Sequence, residues 1–424
     1  MKSSQATVRL AGQKQALTFV LVAVCIDTIG FGIIGPVMPQ LIMNLTGQAL
    51  SQAALYGGIL FSLYAVMQFF CAPIFGNLSD RFGRRPVLLA SVAAYGIDYA
   101  FMAFAPSLAW LFVGRAIAGI CGASYTCATA YVADITPPEG RARAFGLIGA
   151  AWGVGFVLGP VIGGLMGELD LRLPFFAAAG LAMVNVIFGY FVLPETLKPE
   201  NRRAFSLKRA NPVGALLQMR QYPVVIGLLG ALLFFQIAHD SLPTTWAYYS
   251  IEKFHWTTAQ VGLSIGVVGL STALMQALLV GPIVERFGER IAVHVGFLIY
   301  SLGFIAFSLA PNGWLFCTFI VPFALAGITM PALRSILSRQ APANAQGELQ
   351  GAMASLQSVT AIFAPLLMTQ LFRTFTASDQ LYFPGAPFFT AGLCAFVGLL
   401  IVAVVLRSKR ARERSEAREP VTTN

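Results

Sequence analysis

"GNLSDRFGRRPVLL" (76–89) is echoed 205 residues later by "GPIVERFGERIAVH" (281–294). Each carries an acid, an arginine, a phenylalanine and a glycine in the same order, Asp80-Arg81-Phe82-Gly83 in the first copy and Glu285-Arg286-Phe287-Gly288 in the second. Long apolar runs flank both. Gly76 and Gly83 suit a tight turn, and Arg81, Arg84 and Arg85 resist transfer into hydrocarbon. Each copy therefore reads as a short charged loop between two helices.

Of the 424 residues, 57% are hydrophobic and 11% charged, with a mean hydropathy of +0.73, more apolar surface than one water-soluble core can hide. A bilayer is the matching solvent, and only structures that satisfy their own backbone cross it as helices or barrels. Twelve apolar runs are each long enough to span about 30 Å of hydrocarbon as a helix. They cover 17–41, 52–76, 86–104, 107–133, 144–167, 174–193, 223–249, 259–284, 290–309, 313–333, 349–372 and 384–406. The fold class is an all-α membrane protein. The first run lacks a small-residue cleavage site and reads as an anchor rather than a removable signal. Placing both ends in the cytoplasm puts all but four of the 28 Lys and Arg on the inner side; Arg172, Lys253 and Arg373 lie outside and Arg115 within a span. The net charge of +10 thus reports topology, and no basic stretch interleaved with aromatics suggests nucleic acid. The six cysteines fall in apolar spans without ligand-like pairing, so neither a disulfide framework nor a metal site is expected. No catalytic triad or nucleotide loop points to an enzyme.

The longest polar stretch before the tail is "LPETLKPENRRAFSLKRANP" (193–212). It divides the chain into a six-helix half (1–193), a cytoplasmic linker (194–222), a second six-helix half (223–406) and a charged tail (407–424) that is expected to be disordered. The linker's basic residues also suit anionic lipid headgroups. An even number of spans per unit keeps both copies in one orientation, so the halves should be related by an axis along the membrane normal, with a substrate path between them.

Polar residues inside the spans are the candidate machinery. Asp27 and Asp98 lie about 15 to 18 Å deep if a helix rises 1.5 Å per residue. A carboxylate there needs a wet cavity, a partner or a proton. For both, a proton- or cation-binding role and a structural hydrogen-bonding role stay open. Arg115, among Gly114, Gly119 and Gly122, cannot readily lose its proton and serves to hold a carboxylate ionised, in coupling or in a fixed ion pair. Gln68 suits a polar ligand or an interhelical hydrogen bond. The fifth span reads "GFVLGPVIGG" (155–164), where Pro160 removes a backbone bond and Gly155, Gly159, Gly163 and Gly164 leave a surface for close helix approach. His239-Asp240 is placed toward the outer end of the seventh span, as a solvated helix end or an outer gate, with Trp246, Tyr248 and Tyr249 as an interfacial belt.

The 76–86 loop resembles the signature loop of the major facilitator superfamily, and the twelve-span plan matches over nearly the whole chain. The resemblance implies a latch at the cytoplasmic face: Asp80 at the N-terminus of the eleventh helix, Arg84 paired with Asp134, and an altered counterpart around Glu285, Arg286 and Glu289. The 155–164 string is similar to the motif of the superfamily's antiporters, and Arg115 resembles its buried, proton-linked arginine. "IDTIGFGIIGPVMPQL", "IDYAFMAFAP", "YVADITPPEGRARAFG", "MPALRSILSRQ" and "QGELQGAMASLQSVTAIFAPLL" resemble the tetracycline efflux antiporters of Gram-negative bacteria. That implies proton-coupled export of an amphipathic, tetracycline-type drug by alternating access, from the bacterial inner membrane, by a protein working as a monomer. No cofactor is implied; protons are the coupling ion and Mg2+ travels with the substrate as a chelate. Asp27, Asp98, Gln68 and Arg115 would line or support the path. Those exporters carry a histidine in span eight and an aspartate in span nine where this chain has Thr272 and Tyr300, and Tyr125 in "CGASYTCATAY" would reshape the pocket. Another drug or metabolite, or a nutrient importer of the same fold, is the alternative.

Overall fold

One residue separates the helix Leu50–Phe82 from the helix Arg84–Ala103: Gly83, at φ 110° and ψ 159°. Its counterpart Gly288 adopts φ 78° and ψ 157°. Both lie in the positive-φ region that favours glycine, so the two charged copies turn through the same backbone device. Gly76 takes no part in it: it sits inside the helix, and a Cβ built there would meet nothing within 4 Å.

The computed structural model describes residues 2–122, 124–137, 140–197, 200, 202, 219–342, 345–377 and 381–416, without the side chains of 2–16, 124–126, 142 and 409–416. Most of the expected linker, the 417–424 tail and the Tyr125 side chain lie outside that set. In chain order the helices are α1 Lys2–Ile34, α2 Met38–Thr46, α3 Leu50–Phe82, α4 Arg84–Ala103, α5 Leu108–Cys121, α6 Ser124–Ile135, α7 Arg141–Leu169 and α8 Leu173–Val192. They continue as α9 Pro223–Phe254, α10 Thr258–Met275, α11 Gly281–Leu309, α12 Gly313–Ala324, α13 Thr329–Gln340, α14 Gln346–Thr376 and α15 Ala386–Glu416. The described residues contain no strand.

Ten helical stretches among the described residues are long and apolar enough to cross a membrane. The twelve runs map onto them with three differences. The first run breaks at Gly35-Pro36, where proline restricts the preceding residue, and resumes as the short α2. The fourth is two helices, α5 and α6, the first ending at Gly122. The eighth and ninth form one stretch, Thr258–Leu309, of 52 residues. At about 1.5 Å per residue it is far longer than a bilayer is thick, so it must reverse at Gly288.

These helices are apolar outward as well as inward. In Leu173–Val192 the mean hydropathy is 2.0 while 28% of the apolar window is buried, the pattern of a surface facing lipid. Apolar contact alone gives such helices no reason to associate, and close packing has to do so.

Two compact units emerge, one of residues 1–210 with 246–270, the other of 211–245 with 271–424. The end of α9 and most of α10 pack with the first unit. Its core joins Phe19, Val20 and Val24 of α1 to Val87 and Leu88 of α4, Cys127, Tyr131 and Val132 of α6, and Ile148 of α7. The second unit is built on an aromatic cluster in which the rings of Phe304, Phe307, Phe316, Phe323 and Phe388 meet at 4.9 to 6.4 Å, mostly at tilted angles.

Candidate functional site

The break in the fourth span leaves the Gly122 carbonyl open to a side chain, and polar groups gather around it. Gln68 of α3 donates from Nε2 to the Gly122 carbonyl at 3.1 Å and to the Tyr64 hydroxyl at 3.2 Å. Tyr64 shares a hydrogen bond of 3.1 Å with Tyr95 of α4, whose ring stacks on Tyr99. A Cβ on Gly122 would stand 3.0 Å from the Gln68 amide and 3.1 to 3.2 Å from both hydroxyls, so the glycine is what admits the cluster. Asp27, half-buried on α1, acts electrostatically on Tyr64, Tyr95 and Tyr99.

Asp98, one turn from Tyr95 on α4, has no solvent exposure. Arg115 of α5, itself buried, places Nη2 3.6 Å from its carboxylate and 3.1 Å from the Met102 sulfur. Neither Asp98 oxygen has a hydrogen-bond partner, nor does Arg115 Nε. The pair is a charge contact without the hydrogen bonds that normally offset desolvation. Asp98 lies against Gly114, where a Cβ would come within 2.9 Å of Oδ1. The sequence singles out Asp27, Gln68, Asp98 and Arg115, and the structure brings them into one unit. The tyrosines were not foreseen, although Tyr64/Gln68 and Tyr95/Tyr99 are i,i+4 pairs that share a helix face.

The small residues of the fifth span also acquire partners. On α7, Gly155 lies on the Cys25 carbonyl, Gly159 on the Ile29 carbonyl and Gly163 on the Ile33 carbonyl, so α1 runs along one face. Gly164 and Pro160 face α10, where Gly262 meets both. Pro160 leaves α7 continuous from Arg141 to Leu169. At the end of α7, Glu168 Oε1 accepts from the Ala259 N–H at 3.0 Å and from the Thr258 hydroxyl at 3.3 Å, capping α10.

Around the charged turn, Arg84 bonds Asp80 at 2.6 Å, Asp134 at 3.2 Å and the Ser79 hydroxyl at 3.0 Å. Glu195, on the segment following α8, accepts from the backbone N–H groups of Arg84 at 2.9 Å and Arg85 at 3.3 Å. A carboxylate is well placed at a helix N-terminus. Sequence reasoning missed Glu195, whose only signal was the Pro-Glu-Thr run at the edge of the linker. In the second copy Glu285 and Arg286 are exposed, with Arg286 over the Phe287 ring, and Glu289 makes the contact instead. It bonds Arg339 of α13 at 2.8 Å and accepts from Ser335 at 2.6 Å. Glu289 is 205 residues after Arg84, and Arg339 is 205 after Asp134. The repeat keeps the ion pair and exchanges its signs.

In the second unit Asp240 lies midway along α9 rather than near its outer end. The Thr360 hydroxyl of α14 contacts its carboxylate, and Tyr300 of α11 feels its charge. Tyr300 is buried, stacked between Phe235 at 4.9 Å and Phe323 at 5.1 Å. Thr272 and Gln276 border Gly327. The expected aromatic belt is not one: Trp246, Tyr248 and Tyr249 are all buried, Trp246 donating to Ser264 at 2.9 Å. They sit well before the helix end at Phe254, and packing claims them.

The profile described as Major Facilitator Superfamily matches residues 20–365 and 240–423. The tetracycline resistance protein, class C, of Escherichia coli is 43% identical over 357 residues, covering 84% of this chain and 89% of the relative. Multidrug resistance protein 2 of Bacillus subtilis is 28% identical over 400 residues, 92% of this chain and 95% of that one. A solved structure of a human organic anion transporter superposes with a TM-score of 0.68 over 92% of this chain and 99% of its own, at 23% identity, which speaks to fold alone.

Proposed function

The chain belongs to the Major Facilitator Superfamily, and on that premise we propose that it expels an amphipathic drug of the tetracycline type in exchange for protons. It does so by alternating access, as a monomer in the bacterial inner membrane with both termini cytoplasmic. The observation that carries the reading is the buried Asp98–Arg115 contact beside Asp27 and the Gln68–tyrosine cluster.

Arg115 keeps its charge, whereas a proton arriving on Asp98 would cancel the contact and leave the guanidinium to seek another partner. A contact with so few supporting hydrogen bonds is easily exchanged. Asp27 is the principal proton-linked carboxylate in this scheme, being half-buried and so within reach of water. Drug and proton then compete for one set of charges. Tetracycline as a Mg2+ chelate suits the site, because a hard cation prefers oxygen ligands and Asp27 lies near three phenols. The metal is cargo here.

At the inner face, Asp80, Arg84 and Asp134, with Glu195, hold the first unit's charged turn in one arrangement. We assign them the gate. Gly155, Gly159, Pro160, Gly163 and Gly164 provide a close-packed face along which α7 slides against its neighbours.

The test is accumulation of labelled tetracycline in inverted membrane vesicles under an imposed pH gradient, with and without magnesium. Accumulation should collapse with the gradient and in Asp27→Asn, which should still bind drug. Proton release triggered by a different drug, with no tetracycline uptake, would keep the exchanger and replace its substrate, the reading that the Bacillus subtilis relative favours.

A further inference from the structure

We propose that Asp240 is a second proton-binding carboxylate, housed in the second unit and distinct from the Asp27–Asp98 site; the proposal rests on the reading of the chain as a proton exchanger. Asp240 is midway along α9, deep within an apolar span. The other acids with described side chains in this unit lie at helix ends or turns: Glu285 and Glu289 at the charged turn, Glu348 in the first turn of α14.

Asp240 Oδ2 is buried and has no hydrogen-bond partner. Among the described residues no Lys or Arg pairs with it. The hydroxyls on its own helix are spent on backbone: Ser241 donates to Ala238 at 2.7 Å, Thr244 to the Asp240 carbonyl at 2.7 Å and Thr245 to the Ser241 carbonyl at 2.6 Å. From α14, the Thr360 hydroxyl lies 2.9 Å from the Gln357 carbonyl and 3.2 Å from the Leu356 carbonyl. The same hydroxyl hydrogen-bonds the Asp240 side chain, and by rotating it can donate to a carboxylate or accept from a carboxylic acid O–H. From α11 comes Tyr300, held by its stacked neighbours, and from α9 His239, exposed and packed edge-on to Phe235.

A carboxylate in an apolar span requires a counter-charge, and no Lys or Arg among the described residues supplies one to Asp240. A divalent metal would want six or more oxygens, which these side chains do not supply. A proton fits the space and the charge, and the Thr360 hydroxyl can turn to accept from the acid so formed. Pro243 removes the N–H that would bond the His239 carbonyl, loosening the helix at this turn and giving the site a route to move as it loads.

The experiment uses the full chain reconstituted in proteoliposomes, with tetracycline and Mg2+ as the probe and a pH dye as the readout. Asp240→Asn should still bind drug while releasing one proton fewer per cycle, so that accumulation falls about tenfold per unit of imposed pH difference. Asp240→Glu should restore part of the coupling. Thr360→Val, which removes the hydrogen-bonding partner without touching the carboxylate, should shift the pH profile of accumulation. Wild-type coupling with both Asp240→Asn and Thr360→Val unchanged overturns this assignment alone. A wild type that moves drug without protons overturns the exchanger reading beneath it.

Discussion

Asp98 and Arg115 show how a buried charge contact can be close in space yet weakly supported. Attraction between unit charges is large at low dielectric, but each ion gave up its hydration shell, and here few hydrogen bonds replace it. Removing one partner strands the other. Arg115→Ala should therefore destabilise the protein by about 3–5 kcal/mol, while Arg115→Met with Asp98→Leu should cost much less, both read by thermal unfolding in detergent. Both should abolish pH-driven export, which separates stability from coupling. If the single and double variants unfold alike, the two charges are not coupled.

Glycine on α7 is used in two ways, and neighbours decide which. Gly149 has nothing within 4 Å of a built Cβ, whereas Gly163 lies on the Ile33 carbonyl of α1. Gly149→Ala should raise the unfolding temperature slightly, since alanine is favoured over glycine in a helix by about 1 kcal/mol. Gly163→Ala should lower it, because overpacking costs about 1–3 kcal/mol, and should slow transport by prising α7 from α1. Equal effects would mean that the two helices do not approach as described. The broken fourth span makes a related point: Gly122 forgoes a side chain so that Gln68 can reach its carbonyl, turning a helix defect into the anchor of the polar cluster.

Across the whole molecule, the duplicated loop has kept its backbone turn and inverted the signs of one ion pair. Glu289→Arg should impair transport by setting two cations together, and adding Arg339→Glu should recover much of it by recreating the arrangement of Arg84 and Asp134. Arg339 is largely exposed, so the loss should appear in transport rates rather than in unfolding temperature. A double variant no better than the single would show that the pair is incidental. Topology is testable on the same scale: the basic residues predict cytoplasmic linker and tail, so reporter fusions after Arg220 and after Glu416 should be active only as cytoplasmic fusions. Activity in the periplasm would reverse the orientation.

Residue order alone determined the membrane class, the duplicated charged loop, the turn at Gly83 and the intramembrane set of Asp27, Gln68, Asp98 and Arg115. The reason is that a bilayer constrains each segment locally: a span needs its length of apolar residues, and each charge inside one stands out against that background. Only tertiary structure decided what those charges meet. The Asp98–Arg115 contact, the tyrosines beside Asp27, Glu195 at the start of α4, the sign-reversed Glu289–Arg339 pair and the lone Asp240 all depend on which helix faces which. In lipid that choice rests on the fit of small residues and scattered polar contacts, and no hydrophobic stripe announces it along the chain.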